Sequence, residues 1–155
     1  MGMTSLTNPT RMPATARHLA IAGMLPFAFA ASTQWLTAPG IEPARGVFLG
    51  LAYGAVVLSF LGGIRWGTAI GPRGTRRQAL EFIGSVLPAL AAWLALLLPP
   101  ILGLSLLIAS FLMQALWDVT SVDRGRLPQW FGKFRMILTA GAIISFIIML
   151  VPQTI

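Results

Sequence analysis

Residues 45–71 read RGVFLGLAYGAVVLSFLGGIRWGTAIG, and they contain no charged side chain between Arg45 and Arg65. The nineteen residues in between (46–64) rise about 1.5 Å each as a helix, so they nearly cross a hydrocarbon core about 30 Å thick. This uncharged run predicts a transmembrane helix, which we place at residues 45–70.

Glycines recur at every fourth position along this helix. They form two sets, Gly46, Gly50 and Gly54, and Gly63, Gly67 and Gly71. Membrane helices associate through close packing, because lipid tails are as apolar as Leu, and small residues at this spacing permit a close approach. So many glycines would be costly in a soluble helix. The residues predicted to pack against other helices are Gly46, Gly50, Gly54, Gly62, Gly63 and Gly67.

The composition predicts an integral membrane protein that forms a single bundle. Apolar residues make up 56% of the 155 residues and charged residues only 10%, with a mean hydropathy of +0.80. A soluble domain carries about 25% charged residues, so this chain could not cover a water-facing surface. The chain has no Cys, which excludes disulfides, thiolate catalysis, iron–sulfur clusters and Cys-ligated zinc.

The net charge of +7 would indicate nucleic acid as the partner of a soluble protein. In a membrane protein, cations instead retain loops in the cytoplasm beside anionic lipid. We therefore expect the lipid bilayer and anionic phospholipid as partners, and no nucleic acid.

Four further apolar runs predict helices at residues 18–36, 79–98, 101–117 and 129–151. The middle two come from 36 uncharged residues, 82–117, which as one helix would span about 54 Å. The paired prolines Pro99 and Pro100 divide that run, because Pro disrupts a helix interior. With an irregular lead at 1–17 and a short tail at 152–155, the predicted fold is an all-α polytopic membrane helix bundle with five transmembrane helices.

An alternative for the first run is a signal peptide. It has a basic lead, an apolar run at residues 19–27, and Ala28-Phe29-Ala30 as a cleavage triplet. The apolar run continues past the triplet to Leu36, which favours a retained span. Cleavage would leave four spans.

The distribution of cations predicts an N-in/C-out orientation. Ten cations fall on the side of the N-terminus, and Arg45 falls on the other. The ten are Arg11, Arg17, Arg65, Arg73, Arg76, Arg77, Arg124, Arg126, Lys133 and Arg135. Cytoplasmic loops of membrane proteins carry such an excess of Lys and Arg.

Few side chains within the predicted spans could carry chemistry. Tyr53 alone lies deep, and a phenol is a poor proton carrier near neutral pH. The single His, His18, is expected at a helix end, which excludes a bis-His haem. We predict no catalytic residue, no metal site and no cofactor.

The charges at the cytoplasmic face form a possible polar or lipid-headgroup site. Arg65 either reaches to headgroups or pairs with Asp118, which the topology places at the same depth. The aromatic and basic segment around Trp130 and Arg135 is an interfacial anchor, or a site for lipid or a partner. The candidate site residues are Arg65, Trp66, Asp118, Trp130 and Arg135.

Two blocks of sequence are specific enough to carry a resemblance: SFLGGIRWG at residues 59–67 and LPQWFGKFR at residues 127–135. With LPFAFA, SVLPALAAWLAL and the pair Trp117-Asp118, they resemble the small membrane proteins like transmembrane protein sixty-nine, a family of unknown function in proteobacteria and mitochondria. The resemblance covers roughly residues 18–150. It implies a multi-pass inner-membrane protein and brings no established reaction.

Two functional hypotheses follow. The first is a non-enzymatic accessory, assembly or structural partner of a complex in an energy-transducing inner membrane, with other membrane subunits or a second copy as partners. The second is a small carrier or lipid-handling protein that uses Arg65 and Asp118 at the cytoplasmic face. The missing intramembrane titratable groups and the packing glycines favour the first and disfavour an enzyme.

Overall fold

The computed structural model describes residues 12–36, 42–70, 75–123 and 127–153, and all regular secondary structure in these ranges is helical. The helices are α1 (Ala14–Ala22), α2 (Leu25–Ser32), α3 (Pro43–Ala69), α4 (Thr75–Leu97), α5 (Pro100–Asp123) and α6 (Gln129–Leu150), followed by a 3-10 turn (Val151–Gln153). Most of the predicted lead and tail, and the loop cations Arg73, Arg124 and Arg126, lie outside the described residues.

Five helical segments in these ranges are long and apolar enough to cross a membrane. They are Ala14–Ser32, Pro43–Ala69, Gln78–Leu97, Pro100–Val122 and Gln129–Gln153. The predicted all-helical class is confirmed, and so is the presence of five helical segments with the length and composition of membrane spans. The orientation of the bundle stays a prediction.

The first span consists of two helices that meet at Gly23 and Met24. Pro26 lies in the first turn of α2, where its missing N–H is tolerated, so the chain breaks before Pro26. The Tyr53 hydroxyl donates a hydrogen bond of 2.8 Å to the Gly23 carbonyl at the break. Helix α1 begins at Ala14, four residues before the predicted start of the span.

The two halves of the first span differ in burial. No residue of α1 is buried, whereas α2 buries Phe27, Ala30 and Ala31. Phe27 therefore belongs to the core formed with the later helices, and the choice between a retained span and the signal-peptide alternative stays a prediction.

Helix α3 contacts α2, α4, α5 and α6, and its glycines make the close approaches. Side chains of neighbouring helices fill the space that a Cβ would need, with Thr33 over Gly46, Met149 over Gly50, and Phe146 with Leu107 over Gly54. At Gly62 a Cβ would lie 2.5 Å from the carbonyl oxygen of Ser85, so the backbones of α3 and α4 touch there.

Gly63 and Gly67, which were also predicted to pack against other helices, have no neighbour among the described helices of this chain. Both are exposed, and no described atom lies within 4 Å of a Cβ built at either position. With 3.6 residues per turn, the buried face of this part of α3 carries Gly62, Arg65 and Ala69. Gly63 and Gly67 therefore lie outside the face that meets the bundle.

Three buried phenylalanine rings form the centre of the core. Phe27 of α2, Phe111 of α5 and Phe146 of α6 are each at most 2% exposed. Their rings meet edge to face, with centroids 5.4 Å apart for Phe27 and Phe146 and 5.5 Å apart for Phe111 and Phe146. This geometry is the favourable one for aromatic pairs, and it ties α2, α5 and α6 together.

The predicted break at Pro99 and Pro100 separates α4 from α5. Helix α5, however, runs to Asp123, six residues beyond the predicted end at Trp117. Thr120 and Ser121 lie within the helix, and their hydroxyls are satisfied by donating hydrogen bonds of 2.8 and 2.9 Å to the Trp117 carbonyl. The segment between α5 and α6 is therefore shorter than the predicted bounds of 101–117 and 129–151 leave, and Asp118 lies inside the helix.

Candidate functional site

Three charged side chains are buried together at one end of the bundle. Arg65 lies near the C-terminus of α3, Asp118 near the C-terminus of α5, and Arg135 in the second turn of α6. They are 8%, 2% and 5% exposed. Charged residues are rarely buried to this extent unless they are paired.

We call Arg65, Asp118 and Arg135 the charge cluster. The Arg65 Nη2 atom lies 3.1 Å from Asp118 Oδ1, and the Arg135 Nε atom lies 3.1 Å from Asp118 Oδ2. Each carboxylate oxygen therefore accepts a hydrogen bond from a different arginine. The cluster links α3, α5 and α6, since each helix contributes one member.

Polar groups of α5 surround the carboxylate. The Gln114 side-chain amide donates a long hydrogen bond of 3.4 Å to Asp118 Oδ1, and the Ser121 hydroxyl accepts one of 3.2 Å from Arg65 Nη2. Gln114, Asp118 and Ser121 share one helix face, because they are four and three residues apart. Gln114 and Ser121 were not among the predicted site residues, although their spacing from Asp118 is a signal for both.

Aromatic rings lie over both guanidinium groups. The Arg65 Cζ atom lies 4.0 Å from the centroid of the Trp117 ring, and the Arg135 Cζ atom lies 5.9 Å from that of Phe111. Stacking of a guanidinium on an aromatic face offsets part of its desolvation. Trp117 was not among the predicted site residues.

Two buried polar atoms near the cluster make no hydrogen bond to any described group: Arg135 Nη2 and Thr139 Oγ1. Thr139 follows Arg135 by one helical turn and is 2% exposed. A buried donor without an acceptor costs about 1–3 kcal/mol. Arg135 thus keeps a donor available beyond its bond to Asp118.

The structure brings together three of the five predicted site residues. Trp66 lies outside the charge cluster, 48% exposed and edge to face with Phe82. It follows Arg65 directly, and a step of one residue turns a side chain about 100° around a helix. Trp130 is half-buried, packs edge to face on Phe131, and lines the same cavity as Arg135.

That cavity lies between α1, α3 and α6 and has a volume of about 460 Å³. Its lining is almost entirely apolar apart from Arg135 and the Tyr53 hydroxyl. Among the described residues, no group of three or more His, Cys, Asp or Glu side chains is placed to hold a metal ion. The arrangement can therefore hold helices together and offer a cation to an anionic group.

Comparison with known proteins identifies related sequences. A family described as "Protein of unknown function (DUF3429)" matches residues 12–151. Transmembrane protein 69 of Xenopus tropicalis is 37% identical over 138 residues, which cover 87% of this chain and 53% of the relative. Transmembrane protein 69 of Mus musculus is 28% identical over 144 residues, which cover 92% of this chain and 58% of that protein.

The chain thus spans a little over half the length of these curated relatives. No solved structure matches it.

Proposed function

We propose, from the premise that this chain belongs to the DUF3429 family together with transmembrane protein 69, that it is a non-enzymatic structural or assembly partner of a complex in an inner membrane. The relatives' name supports an integral membrane protein and specifies no reaction. The interaction that we assign to the chain is the docking of a transmembrane helix from a partner subunit on α3.

The observation that carries this proposal is the open glycine pair of α3. Gly63 and Gly67 leave a shallow groove on the exposed side of the helix, bordered by Phe60 and Ile70, which are 69% and 66% exposed. At the other glycines described on this helix, atoms of neighbouring segments of this chain occupy the space beside the glycine. Small residues four apart allow a second helix to approach the backbone closely.

The charge cluster supports a structural role rather than a catalytic one. Both oxygens of Asp118 accept hydrogen bonds from arginines of other helices, so the carboxylate joins those helices to α5. An ion pair of this kind fixes the relative positions of helices. It holds α3 in place against α5 and α6.

The test replaces each open glycine with Leu. Leu at position 63 or 67 fills the groove, and we expect the complex extracted in mild detergent from native membranes to lose mass on native gels. Val56→Leu is the matched control, because Val56 is 65% exposed on the same helix and is not a glycine. Complexes of unchanged mass in both glycine variants would overturn the proposal.

A single-cysteine variant identifies the occupant of the groove. The chain has no Cys, so Gly63→Cys introduces a unique thiol. Crosslinking in native membranes is expected to join it to a different membrane subunit, identified by mass spectrometry. A crosslink only between two copies of this chain would assign the groove to self-association and overturn the proposed partner subunit.

The lipid-handling hypothesis is the second candidate, and a specific observation favours it. The sequence predicts a lipid site at Arg65 and Asp118. In the structure, the Nη2 atom of Arg135 is a buried donor with no hydrogen-bond partner among the described residues. Arg135 also lines the cavity between α1, α3 and α6.

A further inference from the structure

We propose that the cavity between α1, α3 and α6 binds one acyl chain of an anionic phospholipid, whose phosphate accepts a hydrogen bond from Arg135 Nη2. The cavity is a different site from the groove on α3, because neither Gly63 nor Gly67 lines it, although Phe60 borders both. The lipid thus lies at Arg135, one of the predicted headgroup-site residues, and not at the pair of Arg65 and Asp118.

The cavity has the size and lining of a ligand site. Its volume of about 460 Å³ falls within the range of about 300–1,000 Å³ that is typical of small-molecule pockets. Its walls come from Leu19 and Ala20 of α1, Val57 and Leu61 of α3, and Leu138 of α6. Such a surface suits a hydrocarbon chain, since it offers no hydrogen-bonding group along most of its length.

Helix α1 covers the cavity without packing into the bundle. It buries no residue, and Leu19, which lines the cavity, is 70% exposed. The break before Pro26 lets α1 diverge from α2, and the hydrogen bond from Tyr53 to Gly23 holds that break in place. An acyl chain between α1 and α6 would give the inner face of α1 the apolar contacts that it lacks in this chain.

Arg135 supplies the charge that selects an anionic headgroup. It is 5% exposed and lines the cavity, and its Nε atom is engaged by Asp118 while Nη2 has no acceptor among the described residues. A phosphate oxygen is a strong acceptor for a guanidinium donor. A guanidinium that keeps an unsatisfied donor beside an apolar cavity suits a ligand that joins an anion to a hydrocarbon chain.

The position of Arg135 at one end of its span agrees with a lipid headgroup. It lies six residues after Gln129, where α6 begins. Met12 and Lys133 line a common surface depression at this end, and both Lys133 and Arg17 are exposed. These cations favour an anionic lipid over a zwitterionic one at this membrane surface.

The first test counts bound lipid by native mass spectrometry. Protein in mild detergent is exposed to phosphatidylglycerol or to phosphatidylcholine with the same acyl chains. We expect one phosphatidylglycerol to be retained with an affinity about tenfold or more above that of phosphatidylcholine. Equal retention of the two lipids would overturn the role of Arg135 in headgroup selection.

The second test fills the cavity without changing the charge cluster. Ala20→Trp places a large ring in the cavity from α1, and we expect phosphatidylglycerol to bind at least about tenfold more weakly. Ala109→Trp is the matched control, because Ala109 lines a different cavity of about 460 Å³ between α4 and α5. Unchanged binding in Ala20→Trp would overturn the site, as would equal losses in both variants.

The third test removes the donor at its source. Arg135→Lys keeps the charge but lacks the second terminal nitrogen, so the preference for phosphatidylglycerol should fall while Asp118 keeps a cationic partner. If Arg135→Lys does not fold, the Ala20→Trp comparison alone decides. A folded Arg135→Lys with full preference for phosphatidylglycerol would contradict the proposed contact.

Discussion

Arg135 Nε donates a hydrogen bond of 3.1 Å to Asp118 Oδ2, and this bond closes the hairpin formed by α5 and α6. Arg65 approaches the other oxygen of the same carboxylate from α3. One acidic residue therefore serves two arginines from two helices. Loss of Asp118 and loss of one arginine should therefore change the stability of the bundle by different amounts, and this difference leads to the first prediction.

We predict that Asp118→Asn destabilises the bundle more than Arg65→Gln or Arg135→Gln does. Loss of Asp118 leaves two buried arginines without their carboxylate, whereas loss of one arginine leaves Asp118 paired with the other. Breaking a buried ion pair from one side typically costs about 3–5 kcal/mol, because it strands a charge. Thermal unfolding in detergent measures the order.

The double variant Asp118→Asn/Arg135→Gln completes a double-mutant cycle, which measures the coupling between the two residues. It removes a stranded charge together with its partner, so its loss of stability should be smaller than the sum of the single losses. Lys133→Gln is the control, because Lys133 is an exposed cation on the same helix. Additive losses would show that the cluster is not coupled.

The second prediction compares two adjacent glycines of α3. Gly62→Ala should destabilise the bundle by about 1–3 kcal/mol, because the new Cβ would lie 2.5 Å from the Ser85 carbonyl oxygen and α4 would have to move. Gly63→Ala should be neutral or stabilising by up to about 1 kcal/mol, because it gains helix propensity without a clash. Melting temperatures of the two purified variants test this; equal values would contradict the packing of α3 on α4.

The helices were predictable from sequence because their signals are local. Each span is marked by an uncharged run within its own sequence, and the prolines at positions 99 and 100 mark the break between two of them. The end of α5 was not predictable by that means, since Asp118, Thr120 and Ser121 read as a polar boundary. Their polarity is satisfied by hydrogen bonds within the helix and by arginines from other helices, and a linear pattern does not reveal those partners.

The candidate site was predictable in part for the same reason. The shared depth of Arg65 and Asp118 follows from topology, and the structure places them in contact. Arg135 read as a surface anchor because it follows Trp130, Phe131 and Lys133. Its burial depends on how α6 is rotated about its own axis, and that rotation is set by contacts such as Phe146 with Phe111.

The third prediction concerns the break in the first span. Tyr53→Phe removes the hydrogen bond to the Gly23 carbonyl and keeps the ring that packs on Phe27 at a centroid distance of 4.9 Å. We expect a loss of about 0.5–1.5 kcal/mol, typical of one hydrogen bond. Hydrogen exchange should rise in α1 and at the break and remain unchanged in α5. A uniform rise across all helices would contradict a local role for Tyr53.

The fourth prediction is that the N-terminus faces the cytoplasm or matrix and the C-terminus faces the opposite compartment. Five spans place the two ends on opposite sides, and ten of the eleven cations then lie on the inner side. Because the chain has no Cys, Ala14→Cys and Gln153→Cys each introduce a single thiol, at the start of α1 and at the end of the 3-10 turn. In intact spheroplasts, a membrane-impermeant maleimide should label Gln153→Cys, and it should label Ala14→Cys only after the membrane is opened.

Labelling of both variants in intact spheroplasts would mean an even number of crossings, with the break between α4 and α5 as the first place to look for the error. Labelling of Ala14→Cys alone would invert the bundle and place the charge cluster, with the cavity beside Arg135, at the outer face.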